Sequence, residues 1–437
     1  MDYSFKGIGK FAIPVMFSSF AEFAITFADT AFLGHIGSYE INLAGTSGLI
    51  HLCYLMLILG FSFGGQIVVS RLKSKDEKRS RQILIPILIP LLAIALIGWA
   101  LFTFVSPNAY SYLIEDKDLA QGLAQFLALR SWGFFPAAIT IGLTAFLLGQ
   151  GNSKPLIWTT VLITSANILL DYCFIYGVGV EAMGVFGAPM ASVIAETIGM
   201  LCLLFLSFRI FGKVIFKNTR SFWKEVRQIC WIGSPLMFQK FMSLGAWTAF
   251  FLAVEKLGTH ELAVSQLIRS LYYLTLIPVI SLGTVTKSYI SFYAENGRDQ
   301  LVAVKNKLLI FSLLLTIIFV HGFIVYPGLF LNLLTNDQQL ISDAKPIIQS
   351  LVGAMMLFSF GHISFATIEG LGHTKWASFI EFASISFYLV LVYLLVQIPG
   401  IELFTVWMVD YLYFAFIAIL SFVLLKFYFH WKPKHIT

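Results

Sequence analysis

The sequence has little charge. Only 12% of its 437 residues are Asp, Glu, Lys or Arg, about half the share of an ordinary soluble domain. With 58% hydrophobic residues and a mean hydropathy of +0.84, it holds more apolar sequence than one soluble core absorbs, so the bilayer is its solvent. Cysteine is scarce too. Cys53, Cys173, Cys202 and Cys230 sit in apolar segments without CxxC spacing, which argues against a thiolate metal site or disulfide framework and for small packing residues. Of the few histidines, His51 and His362 lie within apolar runs and read as satisfied polar groups. The chain has no Walker motif, HExxH or nucleophile elbow, and "GFSFGG" follows an apolar helical run rather than a strand. ATP hydrolysis and intramembrane catalysis therefore have no support, and we expect a non-enzyme without a cofactor. The opening "MDYSFKGIGK" is short and polar, and no small-residue cleavage site follows a compact apolar core, so no removable signal peptide is expected.

Long apolar runs are abundant. Residues 83–105, "ILIPILIPLLAIALIGWALFTFV", run 23 residues without a charge; a helix of that length spans a hydrocarbon core of roughly 30 Å. Hydropathy and punctuation predict twelve spans: 11–33, 42–70, 83–105, 121–148, 156–176, 187–211, 230–256, 261–293, 308–334, 346–369, 377–398 and 404–425. "RLKSKDEKRSR" (71–81) carries six Lys/Arg and so does 209–227, whereas the loop between the third and fourth spans has Lys117 against Glu115, Asp116 and Asp118. Basic loops stay in the cytoplasm, which puts both termini there. The net charge of +6 is thus topology and not a nucleic-acid footprint.

The two halves repeat at a constant offset of 221 residues: "PVMFSSF" from Pro14 against "PLMFQKF" from Pro235, Gly37 and Glu40 against Gly258 and Glu261, "GQGNSK" (149–154) against "GLGHTK" (370–375). Six spans per repeat give parallel topology, hence two lobes related by an axis along the membrane normal with a cavity between them. The expected fold is an all-α integral membrane protein of twelve transmembrane helices in two pseudo-symmetric six-helix lobes. Its divisions are an N-lobe at 1–211, a basic cytoplasmic linker at 212–227 and a C-lobe at 228–437.

Carboxylates inside apolar spans cost roughly 2.5–3.5 kcal/mol each on insertion scales, so they mark cavities or partners. The first half offers Glu22, Asp29, Asn167, Asp171 and Glu196. "NILLD" places Asn167 and Asp171 four apart on one helix face, as cation coordination or proton sharing requires. Spacing alone leaves two readings open, a three-oxygen cluster with Asp29 or unrelated acids near helix ends that bond to water. The second half has no such acidic pair; it offers Lys240, Arg269, Lys287, Glu369 and Glu381. These read either as a positively lined C-lobe facing an acidic N-lobe or, for Lys287 and Glu369, as side chains that snorkel to the cytoplasmic interface, and snorkelling is the expectation. Lys240 lies about ten residues into its span and needs an acidic partner, for which Glu22 is the candidate.

At "FADTAFLGHIG", "LLGQGNSKP", "NILLDYCFIYG" and "GVFGAPMAS" the chain resembles the MATE (multidrug and toxic compound extrusion) family of the MOP superfamily, over essentially its whole length. It is most similar to the DinF-like branch. The resemblance implies export of organic cations and other toxic compounds in exchange for Na⁺ or H⁺. By the same likeness Pro14 is the helix-bending proline, and Asp29, Asn167 and Asp171 form the cation site with the hydroxyl of Ser192, where Thr is usual. Glu22, Lys240 and Arg269 are substrate-cavity candidates. The NorM-like branch has acids in helices 7 and 10; here Ser243 and "MMLFSFG" stand there, which puts a C-lobe cation site in doubt. The leading expectation is a cation-coupled multidrug efflux antiporter, monomeric, in the plasma (inner) membrane, with small organic cations and membrane lipid as its partners and no nucleic acid. The alternative is a lipid-linked oligosaccharide or lipid flippase of the same superfamily.

Overall fold

In a computed structural model, the protein is described at residues 1–34, 38–113, 117–217, 221–332 and 334–431; Gly37 of the repeat and part of the 212–227 linker lie outside the described residues. Among the described residues the regular structure is helical, with no strand. The long helices in chain order are α1 (Phe5–Gly34), α2 (Ser38–Lys75), α3 (Leu84–Ala100) and α4, a pair (Lys117–Ser131 and Phe134–Gly149) bent by 45°. They continue with α5 (Lys154–Tyr176), α6 (Gly187–Phe211), α7 (Phe222–Val254) and α8 (Thr259–Tyr293). The last four are α9 (Arg298–Val325), α10 (Gln338–Gly370), α11 (Thr374–Leu395) and α12 (Val409–Trp431). Among the described residues ten helices are long and apolar enough to cross a membrane, and the bent pair makes an eleventh. The 30-residue α1 occupies the place of the first expected span, so the twelve-helix plan stands. Apolar residues cover the outside, as a lipid-facing surface requires: Trp158 is 70% exposed and Ile318 67%.

The chain forms two compact units, Ile13–Phe241 and Met242–Thr437 with Met1–Ala12. Helix α1 thus joins the first unit at Ile13, the residue before Pro14, and α7 leaves it at Phe241. Both helices run through a proline, Pro14 and Pro235, without a break.

The 221-residue repeat reappears inside each unit, bond for bond. After α4 the N–H groups of Gln150, Gly151 and Asn152 donate to the carbonyls of Phe146, Leu148 and Leu147. After α10 those of Leu371, Gly372 and His373 donate to Thr367, Glu369 and Ile368, each the same distance along the repeat. The turns require Gly151 at φ 68° and Gly372 at φ 80°, left-handed backbone that L residues with a Cβ avoid. The preceding glycines mark helix crossings. A Cβ on Gly149 would lie 2.9 Å from the Gln66 carbonyl oxygen of α2, and one on Gly370 would lie 3.1 Å from that of Lys287 of α8. Gln66 and Lys287 are again repeat partners.

Candidate functional site

Helix α5 turns its wide apolar residues outward; Leu169 is 63% and Tyr172 49% exposed. Its other face carries oxygens at Thr160, Thr164, Asn167 and Asp171, spaced so that they line one stripe. Asn167 is 1% and Asp171 0% exposed. Helix α6 meets α5 backbone to backbone, since a Cβ on Gly187 would lie 2.8 Å from the Ile175 nitrogen. That closeness brings Ser192, one and a half turns on, opposite the stripe, and Asn167 Nδ2 donates to Ser192 Oγ at 3.4 Å. Among the described residues Asn167 Oδ1 and Thr164 Oγ1 are buried without a hydrogen-bond partner. The arrangement offers carboxylate, amide and hydroxyl oxygens, the donor set of a hard cation or a shared proton.

Helix α1 is tied to α5 twice. Ser18 Oγ meets Thr160 Oγ1 at 2.8 Å, and the Tyr176 hydroxyl donates to the Phe32 carbonyl at 2.9 Å. Residue numbers rise together across these ties, so the two helices run in the same direction. Asp29 follows Ser18 by the same number of residues as Asp171 follows Thr160, which sets both backbones at one level, roughly 16 Å past the lower tie. The side chain of Asp29 lies outside the described residues. Thr160 and Thr164 are absent from the sequence-based site; the period-3.6 spacing to Asn167 was the signal that could have found them.

The remaining candidates fall elsewhere. Lys240 Nζ lies over the Phe63 ring, 5.9 Å from its centroid, and Arg269 over Phe251 at 5.0 Å. Glu22 is exposed on the surface of its unit. Glu196 is bound by Arg130 through both oxygens, at 2.5 and 3.1 Å, a bidentate pair beside the bend of α4. One expectation is corrected: Lys287 and Glu369 do not snorkel. They are 2% and 1% exposed and form an ion pair at 3.1 Å, because the close crossing at Gly370 buries both before either can reach an interface. Asp410 is absent from the sequence-based candidates; it is 2% exposed, and its Oδ2 accepts from the Tyr272 hydroxyl at 2.9 Å. The rule applied to the other intramembrane acids would have flagged it.

A helical membrane protein made of two repeated halves, with a buried polar stripe in the first, has the plan of a transporter. The MatE family profile matches residues 14–173 and again 235–394, two matches set apart by the same 221 residues, and the chain belongs to the MatE family, whose members are transporters and not enzymes. A probable multidrug resistance protein NorM of Idiomarina loihiensis is 23% identical over 402 residues, covering 87% of this chain and 84% of its own. One from Thermotoga maritima is 21% identical over 401 residues, covering 87% and 83%. Among solved structures, the crystal structure of MATE in the straight conformation superimposes with a TM-score of 0.88 at 17% identity, covering 97% of this chain and 96% of that one.

Proposed function

We propose that this chain is a cation-coupled antiporter that exports small organic, often cationic, molecules from the cell in exchange for H⁺ or Na⁺. It sits in the plasma (inner) membrane with both termini cytoplasmic, and its lobes, 1–211 and 228–437 joined by the 212–227 linker, alternate in access. The observation that carries the reading is the fully buried Asp171 beside Asn167, whose Oδ1 has no partner among the described residues. The names of the NorM relatives support the substrate class.

In this reading Asp29 adds a second carboxylate to Asp171, Asn167 and Ser192, and the incoming ion binds among their oxygens. Two carboxylates in a weakly polar pocket repel, so a proton or Na⁺ between them is favoured. Occupancy removes negative charge and weakens the hold on a cationic substrate, and by reciprocity bound substrate weakens the hold on the ion, so the two exchange. Pro14 removes one backbone hydrogen bond from α1 and lets the helix bend as Asp29 changes state. Glu22, Lys240 and Arg269 contact substrate along the route.

Reconstituted protein should expel a cationic dye when a proton or a sodium gradient is imposed separately, and Asp171→Asn should abolish uphill efflux while dye binding persists. Near-normal uphill efflux by Asp171→Asn would make the stripe structural. Accumulation of a lipid-linked precursor in a deletion strain, with no change in drug susceptibility, would favour a flippase instead.

A further inference from the structure

We propose that the unit containing Met242–Thr437 carries a proton-binding site of its own, built on Asp410 and Glu381 with the tyrosines between them. It rests on the transport reading only for what the proton is used for.

Asp410 is the second residue of α12, just after the short helix Leu403–Trp407. Tyr272 of α8 donates to its Oδ2 at 2.9 Å. Tyr388 of α11, 5% exposed, lies beside the same carboxylate. One turn along α12, Tyr413 packs its ring on Tyr388 at 5.1 Å and donates to Glu381 Oε1 at 3.3 Å. Glu381, 7% exposed, also accepts from Ser243 Oγ of α7 at 2.7 Å. Two buried carboxylates on neighbouring helices thus sit at the two ends of a tyrosine cluster in which Tyr388 and Tyr413 meet ring to ring, beside Trp407, Trp247 and Phe250.

The surroundings supply little positive charge to Asp410. From α8 come Tyr272 and Arg269, whose guanidinium stacks on Phe251. On α10, where Gly353 faces Tyr411 and Gly361 faces Ala418, the titratable groups are Asp343, Lys345, His362 and Glu369; Asp343 pairs with His260 and Glu369 with Lys287. On α12 itself Tyr411 is occupied by the Ser350 carbonyl. Among the described residues no Lys, Arg or His forms an ion pair with Asp410. A carboxylate so buried is costly as an anion and cheap as an acid. Uptake of one proton from water forms an O–H bond on the carboxylate and takes its charge from −1 to 0; release returns the proton to water. The hydroxyls suit both states, since each can donate to the anion and accept from the acid. The same adaptability favours a proton over a metal cation, which would ask these hydroxyls to stop donating and ligate.

Infrared pH-difference spectra of the full-length protein in liposomes test this. We expect a carboxylic-acid C=O band that is lost in Asp410→Asn and persists in Asp171→Asn, and whose pH midpoint shifts in Tyr388→Phe and Tyr272→Phe. A spectrum unchanged in Asp410→Asn overturns the proposal, as does a response to Na⁺ in place of pH. Should Asp410→Asn fail to fold, an unshifted midpoint in both Phe variants overturns it equally. Absence of dye efflux with the band intact would refute the transport reading and leave this site standing.

Discussion

Lys287 and Glu369, closed off from water at 3.1 Å, illustrate how one residue pair is judged by its surroundings. Removing one partner leaves a buried charge, at a cost of about 3–5 kcal/mol, whereas replacing both is often neutral. Lys287→Gln should therefore lower the unfolding temperature sharply. Lys287→Gln combined with Glu369→Leu, which copies Gln66 and Leu148 of the other repeat, should recover most of the loss. Equal melting of single and double variants would show that the stranded Glu369 carboxylate is not what destabilises the single variant. Lys240 poses the parallel question in the first unit. If it acts with Glu22, Lys240→Ala and Glu22→Ala should each slow transport, and the double variant should lose less than the two effects added; strict additivity would mean they act apart.

Elements report their constraints through glycine and proline. Gly149 meets α2 with no room for a Cβ, while Gly45 in α2 has open space around it. Gly149→Ala should destabilise the protein, and Gly45→Ala should be neutral or stabilising by up to about 1 kcal/mol, the helix preference of alanine; thermal melts that rank them otherwise would refute the crossing as a constraint. Pro14→Ala restores a hydrogen bond to α1 and should reduce turnover while leaving substrate binding in place. Equal turnover in both proteins would remove Pro14 from the transport cycle. At this scale the sequence is most readable. Spans, repeat and the Asn167–Asp171 face follow from local periodicity, which hydropathy reports directly. The Arg130–Glu196 pair and the tyrosines around Asp410 were not readable, since their partners come from helices 66 and 138 residues away, and no local spacing encodes such distances. The fate of Lys287 failed for a similar reason: a long side chain near a span end usually reaches water, and the crossing that prevents it involves another helix.

For the whole molecule, the charge asymmetry of the loops sets orientation. A fluorescent protein fused after Thr437 should fold and fluoresce, and alkaline phosphatase at the same place should be inactive; the opposite pair of results would invert the topology. The duplicated turns at Gly151 and Gly372 have a historical consequence. Two identical turns hydrogen-bonded in the same order at one spacing point to an ancestor half this length whose copies were fused. Any substitution in that ancestor before the duplication passed to both halves, so differences between them date from after it. Gln66 and Leu148 against Lys287 and Glu369 is such a difference, and it takes at least two separate changes. Whichever came first left a lone charge at a buried crossing, so the lineage crossed a period of lowered stability before the second change relieved it.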